Sequence, residues 1–124
     1  MKFLGRFYKE TTSGRSDLQT RHMPADFIEE TKIERDLFGW KLYSGKHFIE
    51  CRSQEEARYL KVYFDVGMEN VAVPKDDNYL KTILPELEYL KKRADEIIGS
   101  YVDGILKQSL KERVKREVYQ EIIK

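Results

Sequence analysis

A chain of 124 residues is the size of one domain and large enough to bury a core, with a 40% apolar share that is a little low for an independent globule. Charged residues make up 36% of it while the net charge is only +1, so both signs spread over solvated faces, without the basic excess of most free-standing nucleic-acid binders. One cysteine excludes an intrachain disulfide or a thiolate-cluster metal site, and nowhere do 18 uncharged apolar residues run together to span a membrane. With the charged start MKFLGRFYKE, these features lead us to expect a cytoplasmic protein with no signal peptide, no membrane contact and no cofactor.

In chain order, Phe3, Leu4, Phe7 and Tyr8 suggest a short strand, and the polar residues 11–22 read as a loop. Pro24 suits the first position of a helix running toward Arg35, with Phe27, Ile28 and Thr31 turned inward. Trp40, Leu42 and residues 48–51 supply strand formers on either side of a Ser44-Gly45 turn, which predicts a hairpin. Ser53 followed by Glu56 is a capping box, opening a helix over 55–66 with Ala57, Leu60, Tyr63 and Phe64 on one face and Gly67 at its end. Val71, Ala72 and Val73 form a strand that Pro74 ends, and Asp76 and Asp77 offer caps for a helix beginning near Tyr79.

The last third carries Leu80, Ile83, Leu87, Leu90, Ala94, Ile97 and Tyr101 three and four apart, a coiled-coil-like seam. Pro85 suits the first turn of this long helix, after a separate short turn, and Gly99 and Gly104 weaken its far end. Ser109 and Glu112 form a second capping box for a last helix with Leu110, Val114, Val118 and Ile122 in phase. The expected fold is a single α+β domain. Residues 1–75 build a small antiparallel β-hairpin sheet packed on a helix, and residues 76–124 a helical hairpin.

Two resemblances bear on function. Asp36 ahead of the hairpin and Glu50-Cys51-Arg52 at its end resemble, in order, the acid and Glu-x-Lys of metal-dependent nucleases of the restriction-endonuclease type. That likeness implies Asp36 and Glu50 on a divalent ion, with Arg52 steadying developing charge. Arginine keeps its proton where the family has lysine, and Glu50 falls on the solvent side of an alternating strand, so catalysis is the alternative reading. FIECRSQEEARYL resembles the strand and capped helix in the C-terminal target-recognition region of adenine-specific restriction-modification DNA methyltransferases. This second likeness implies a recognition module that binds without catalysing, since their catalytic Pro-Pro motif and glycine-rich methyl-donor site are absent here.

Among polar residues, Arg15, Arg21, His22, Lys41 and Lys46 are the candidates for phosphate contacts. His22 and His47 lack partners at zinc-ligand spacing, and Cys51 reads as a buried structural thiol. Phe38, Trp40, Tyr59, Tyr63, Val118, Tyr119, Ile122 and Ile123 exceed the apolar surface that a small sheet and two helices need. The sequence therefore predicts a non-catalytic accessory or regulatory module that forms a homo-oligomer or binds a protein partner, with DNA as a further candidate partner.

Overall fold

Leu4, Phe7 and Thr11 recur at helical spacing, and all three are buried along one side of α1 (Leu4–Thr12). The N-terminal strand expected from the aromatics is therefore a helix. The computed structural model describes residues 4–24 and 30–102, together with Arg113 and Glu117. After α1 come β1 (Leu18–His22), β2 (Lys32–Asp36), β3 (Gly39–Ser44), β4 (His47–Cys51), α2 (Gln54–Asp65), β5 (Asn70–Pro74) and α3 (Asp77–Val102). This is an α+β fold with two small antiparallel sheets, ordered β1-β5 and β2-β3-β4.

Two expectations about the first third give way here. Residues 18–22, read as loop, pair with β5 from Leu18↔Pro74 to His22↔Asn70. Bonds from Lys75 N to Asp17 O (2.9 Å) and from Met23 N to Glu69 O (3.0 Å) extend that ladder at both ends. The sequence LQTRH has no apolar alternation, so the partner strand decides its conformation. The helix expected from Pro24 does not reach Arg35, because residues 32–36 are paired as β2; residues 25–29 lie outside the described residues. Thr31 is nevertheless buried.

The hairpin is present, one residue later in its turn than expected: Ser44↔His47 closes on Gly45-Lys46. Gly45 takes φ +58° while Lys46 stays negative, the type II′ pattern that matches strand twist. Helix α2 begins with the first half of the capping box, Ser53 Oγ accepting from Glu56 N at 3.1 Å, while Glu56 Oε1 accepts from Arg52 N, one residue before the cap. It ends in a Schellman motif: Gly67 N reaches Phe64 O and Met68 N reaches Tyr63 O, both at 3.1 Å, with Gly67 at φ +95°. Asp76 Oδ1 accepts from the N–H groups of Asn78 and Tyr79 and caps α3.

Helix α3 differs from the expectation at Pro85. The residues before it are not a separate turn, because Pro85 sits inside one continuous helix. The Asp76 cap and the burial of Leu80 and Leu84 hold the turns that precede the proline. Along the predicted seam Leu80, Leu87, Leu90 and Ala94 are buried, packed mainly against α2. The second arm of the predicted helical hairpin, apart from Arg113 and Glu117, lies outside the described residues.

The core is centred on α2, which contacts both sheets and α3. Tyr59 and Tyr63, expected to enlarge an apolar surface, are fully buried in it. Tyr63 stacks edge-on with Tyr8 and Tyr59 at ring separations of 5.0 and 5.1 Å. Tyr59 Oη donates to Ala72 O and Tyr8 Oη accepts from Ala72 N, both at 2.9 Å, so two side chains close the outer edge of β5. Burial raises both the Tyr59 and Tyr63 hydroxyls far above the ordinary tyrosine range.

Candidate interaction surface

The loop between β4 and α2 carries Arg52 and Ser53, and the cap at Ser53 turns Glu56 into the protein rather than toward water. The Glu56 carboxylate is 0% exposed. It accepts from Arg52 Nη1 at 2.7 Å, from Arg52 N at 3.2 Å and from Arg21 Nη1 at 3.3 Å. Arg52 Nη2 also donates to Asp77 Oδ1 (2.8 Å) and Pro74 O (3.2 Å), and Ser53 Oγ donates to the same Asp77 oxygen at 2.9 Å. The hydrogen bond from Arg52 holds the Asp77 carboxyl below its ordinary range. Arg21 Nη2 donates to Glu50 O, so β1 is tied across to β4. This is a satisfied electrostatic junction joining both sheets to the starts of α2 and α3.

Of the residues expected to form a nuclease centre, Arg52 therefore stands apart from Asp36 and Glu50, which lie on either side of Lys41. Arg52 faces Glu56 and Asp77, while Asp36 lies at the far end of β2 and pairs with Lys41 at 2.7 Å. Glu50 is exposed on β4, in register with Lys41. Among the described residues, no three His, Cys, Asp or Glu side chains gather as a metal site would require. Cys51 is buried, and desolvation pushes its thiol up to about 11, far from the thiolate a nucleophile needs.

Of the five residues singled out for phosphate contacts, four have partners within the fold and one stands in a turn. Arg15 makes a two-pronged bond with Asp17 at 2.9 Å and lies over the Tyr79 ring at 4.1 Å. Arg21 belongs to the Glu56 junction, and His22 Nδ1 bonds Asn70 Oδ1 at 3.0 Å. Lys41 holds Asp36 near one end of β3, and Lys46 is exposed in the turn at the other end.

What the fold presents to solvent instead is the β2–β3 hairpin. Asp36↔Gly39 closes a two-residue turn made of Leu37 and Phe38, whose side chains are 98% and 89% exposed. Asp36 Oδ1 accepts from Phe38 N at 2.8 Å, and Gly39 takes φ +123°, so an Asx contact and a glycine fix this tip. Bonding to Lys41 and Phe38 N holds the Asp36 carboxyl below its ordinary range. Behind the tip Arg35 lies over Trp40 (5.4 Å) and Lys41 over Phe48 (5.3 Å). Trp40 packs partly against the core, whereas Phe48 is half exposed beside Tyr43. Sequence reading noticed Phe38 but not Leu37; the signal was Asp-Leu-Phe-Gly, turn chemistry enclosing two apolar residues.

The other end of β2 is anchored. Thr31 N and Oγ donate to Asp65 Oδ1 at 2.8 and 2.9 Å, and Lys61 Nζ donates to Thr31 O and to Asp65 Oδ2. Burial raises the Asp65 carboxyl despite those bonds. Two hollows flank this end: one of 370 Å³ reaches between β2, α2 and α3, floored by Ile33 and Val62. The second, of 640 Å³, is lined by Glu30, Thr31, Lys32, Ile33, Glu34 and Lys61.

No family model matches the chain, and neither the curated proteins nor the solved structures contain a match to it. Among the described residues no helix is long and apolar enough to cross a membrane.

Proposed function

We propose that this protein is a non-catalytic accessory module that works by protein association, with itself or with a protein partner, through the β2–β3 hairpin. The observation that carries this reading is the pair Leu37 and Phe38, almost wholly exposed on a turn whose backbone is fixed by Asp36 and Gly39. Two adjacent large apolar side chains held in water by a rigid turn gain most when another surface covers them. The setting we propose is DNA restriction-modification, on the resemblance of FIECRSQEEARYL to a target-recognition region; that stretch forms β4 and the capped start of α2.

The test is light scattering with size-exclusion chromatography across a concentration series, comparing wild type with the Leu37→Ser/Phe38→Ser double variant. We expect wild type to show concentration-dependent mass and the variant to stay monomeric with unchanged circular dichroism. Magnesium-dependent cleavage of a DNA duplex that vanishes in Glu50→Ala would overturn the non-catalytic reading.

A further inference from the structure

Among the described residues, the hairpin also leaves a strand edge open. In an antiparallel ladder closed at Asp36↔Gly39, the pairs Asp36↔Gly39, Glu34↔Lys41 and Lys32↔Tyr43 exchange backbone bonds. The N–H and C=O of Ile33 and Arg35 then point away from β3. Thr31 has the same phase, and its outward groups are already taken by Asp65 and Lys61. No described strand lies beyond β2 in the sheet order.

We propose that β2 pairs with β2 of a second copy, antiparallel about a two-fold axis at Glu34, joining two three-stranded sheets into one of six strands. This rests on the self-association reading above and gives it a geometry. Only one register works. Placing Glu34 on the axis sets Ile33 opposite Arg35 of the second copy, so the outward backbone groups meet as hydrogen-bonded pairs. It also sets Lys32 opposite Asp36 of the second copy, twice by symmetry, on the outer face. An axis at Arg35 would oppose arginine with arginine and Glu34 with Asp36, and an axis at Ile33 would need Thr31's backbone groups, which are occupied.

The same register accounts for the exposed tip. Residues equally far on either side of Glu34 face each other, so Leu37 falls opposite Thr31 and Phe38 opposite Glu30 of the second copy. Those two residues line the 640 Å³ hollow. Each hairpin tip therefore lands over the hollow of its neighbour, and the open edge, the apolar tip and the groove are covered in one step. The adverse contacts are Glu34 against itself on the axis and Asp36 of the second copy on one diagonal, set against Lys41 beside Glu34 on β3 and Lys32 of the second copy on the other diagonal.

Three sets of variants test the geometry, the first two by analytical ultracentrifugation and the third by disulfide trapping. Arg35→Pro removes an outward N–H from an exposed edge position as well as the guanidinium over Trp40, and Arg35→Ala removes the guanidinium alone, so the hairpin stays paired in both while dimerisation weakens at least tenfold more in the proline variant. Glu34→Thr removes the repulsion on the axis and tightens the dimer up to about fivefold. Of the single-cysteine variants Lys32→Cys, Glu34→Cys and Asp36→Cys, mild oxidation should link two chains only in Glu34→Cys. Its two copies face each other at about 4.5 Å between Cα atoms, whereas the other two positions are offset from their own copies by about 13 Å. Native Cys51 is buried and stays silent. A wild type that associates while Arg35→Pro associates equally, or while Glu34→Cys links no better than its neighbours, overturns the β2 pairing and leaves the hairpin-tip reading in place. A wild type that stays monomeric overturns the dimer and directs the tip to a different protein.

Discussion

Replacing Glu56 tests whether the junction at the start of α2 holds the two sheets together. The carboxylate is wholly buried and accepts three bonds, two of them from guanidinium groups. Breaking a buried ion pair by removing one partner costs about 3–5 kcal/mol, since the charge left behind stays desolvated. Here both arginines keep other acceptors, Glu50 O for Arg21 and Asp77 with Pro74 O for Arg52. The Arg52 side chain, 32% exposed, can also turn toward water. The low end of that range applies, so Glu56→Ala should lose about 3 kcal/mol. Glu56→Gln keeps the volume and an acceptor oxygen and should lose about 1–2 kcal/mol. For a domain of this size the alanine variant should melt about 12 °C lower by calorimetry, at about 4 °C per kcal/mol. The deficit should persist in 1 M salt because the pair is shielded from solvent. A loss under about 1 kcal/mol for Glu56→Ala, or equal losses for both variants, would refute the idea that the buried charge organises the junction.

The tyrosine cluster gives an opposite-sign prediction. Tyr63 Oη is buried with no hydrogen-bond partner among the described residues, so Tyr63→Phe should leave stability unchanged or raise it by about 1 kcal/mol, whereas Tyr59→Phe, which strips Ala72 O of its donor, should cost about 1 kcal/mol in urea titrations. Pro85→Ala should restore a helical N–H to α3 and stabilise by about 2 kcal/mol in the same assay. On the acid side, Asp17, Asp36 and Asp77 are held below the ordinary 3.8 by Arg15, Lys41 and Arg52. Their stabilisation is complete above that value and is lost as pH falls through their depressed folded values, so Asp77→Asn should flatten the fall in melting temperature below about pH 4. Asp65 has the opposite sign: its raised folded value makes its ionisation a cost, relieved as pH falls through that value.

Elements whose signals are local were legible in the sequence. Ser53 before Glu56, Gly67 after the last turn of α2 and Asp76 before α3 each act on backbone groups within a few residues as their spacing predicted, and Gly45 sits in the hairpin turn, one residue earlier in it than expected. Strand β1 was not legible, because LQTRH acquires its conformation from β5, roughly fifty residues away. Strand β2 was hidden for the same reason: KIERD is charged, and what makes it a strand is the ladder to β3 and the clamp on Thr31. The aromatics of α1 are strand formers by type but helical by spacing, and spacing prevailed. At the site, Glu50 and Arg52 lie two apart, a spacing that would put both on one face of a continuing strand, but β4 ends at Cys51 and Arg52 turns away to Glu56 and Asp77. Nothing local marked Glu56 as more than the third residue of a capping box; its partner Arg21 is contributed by the strand that could not be seen.

The placement of these constraints bears on what the hairpin is for. Helix α2 fixes the three-stranded sheet at two points: its first turn holds the exit of β4 through Arg52 and Glu56, and its last turn holds the entry to β2 through Lys61 and Asp65. Leu42 and Cys51 bury the inner face between those points. The sheet is thus immobilised on its core side while the tip at Leu37 and Phe38 and the outer groups of Ile33 and Arg35 project beyond the support. An apolar tip on a loose loop would lose much of its binding energy to ordering, but one carried on a hairpin clamped at both ends is ordered before any partner arrives. The proposed association would use that division, in which the ion pairs and caps sit around α2 while, among the described residues, apolar side chains and backbone groups are left open at one end of one sheet.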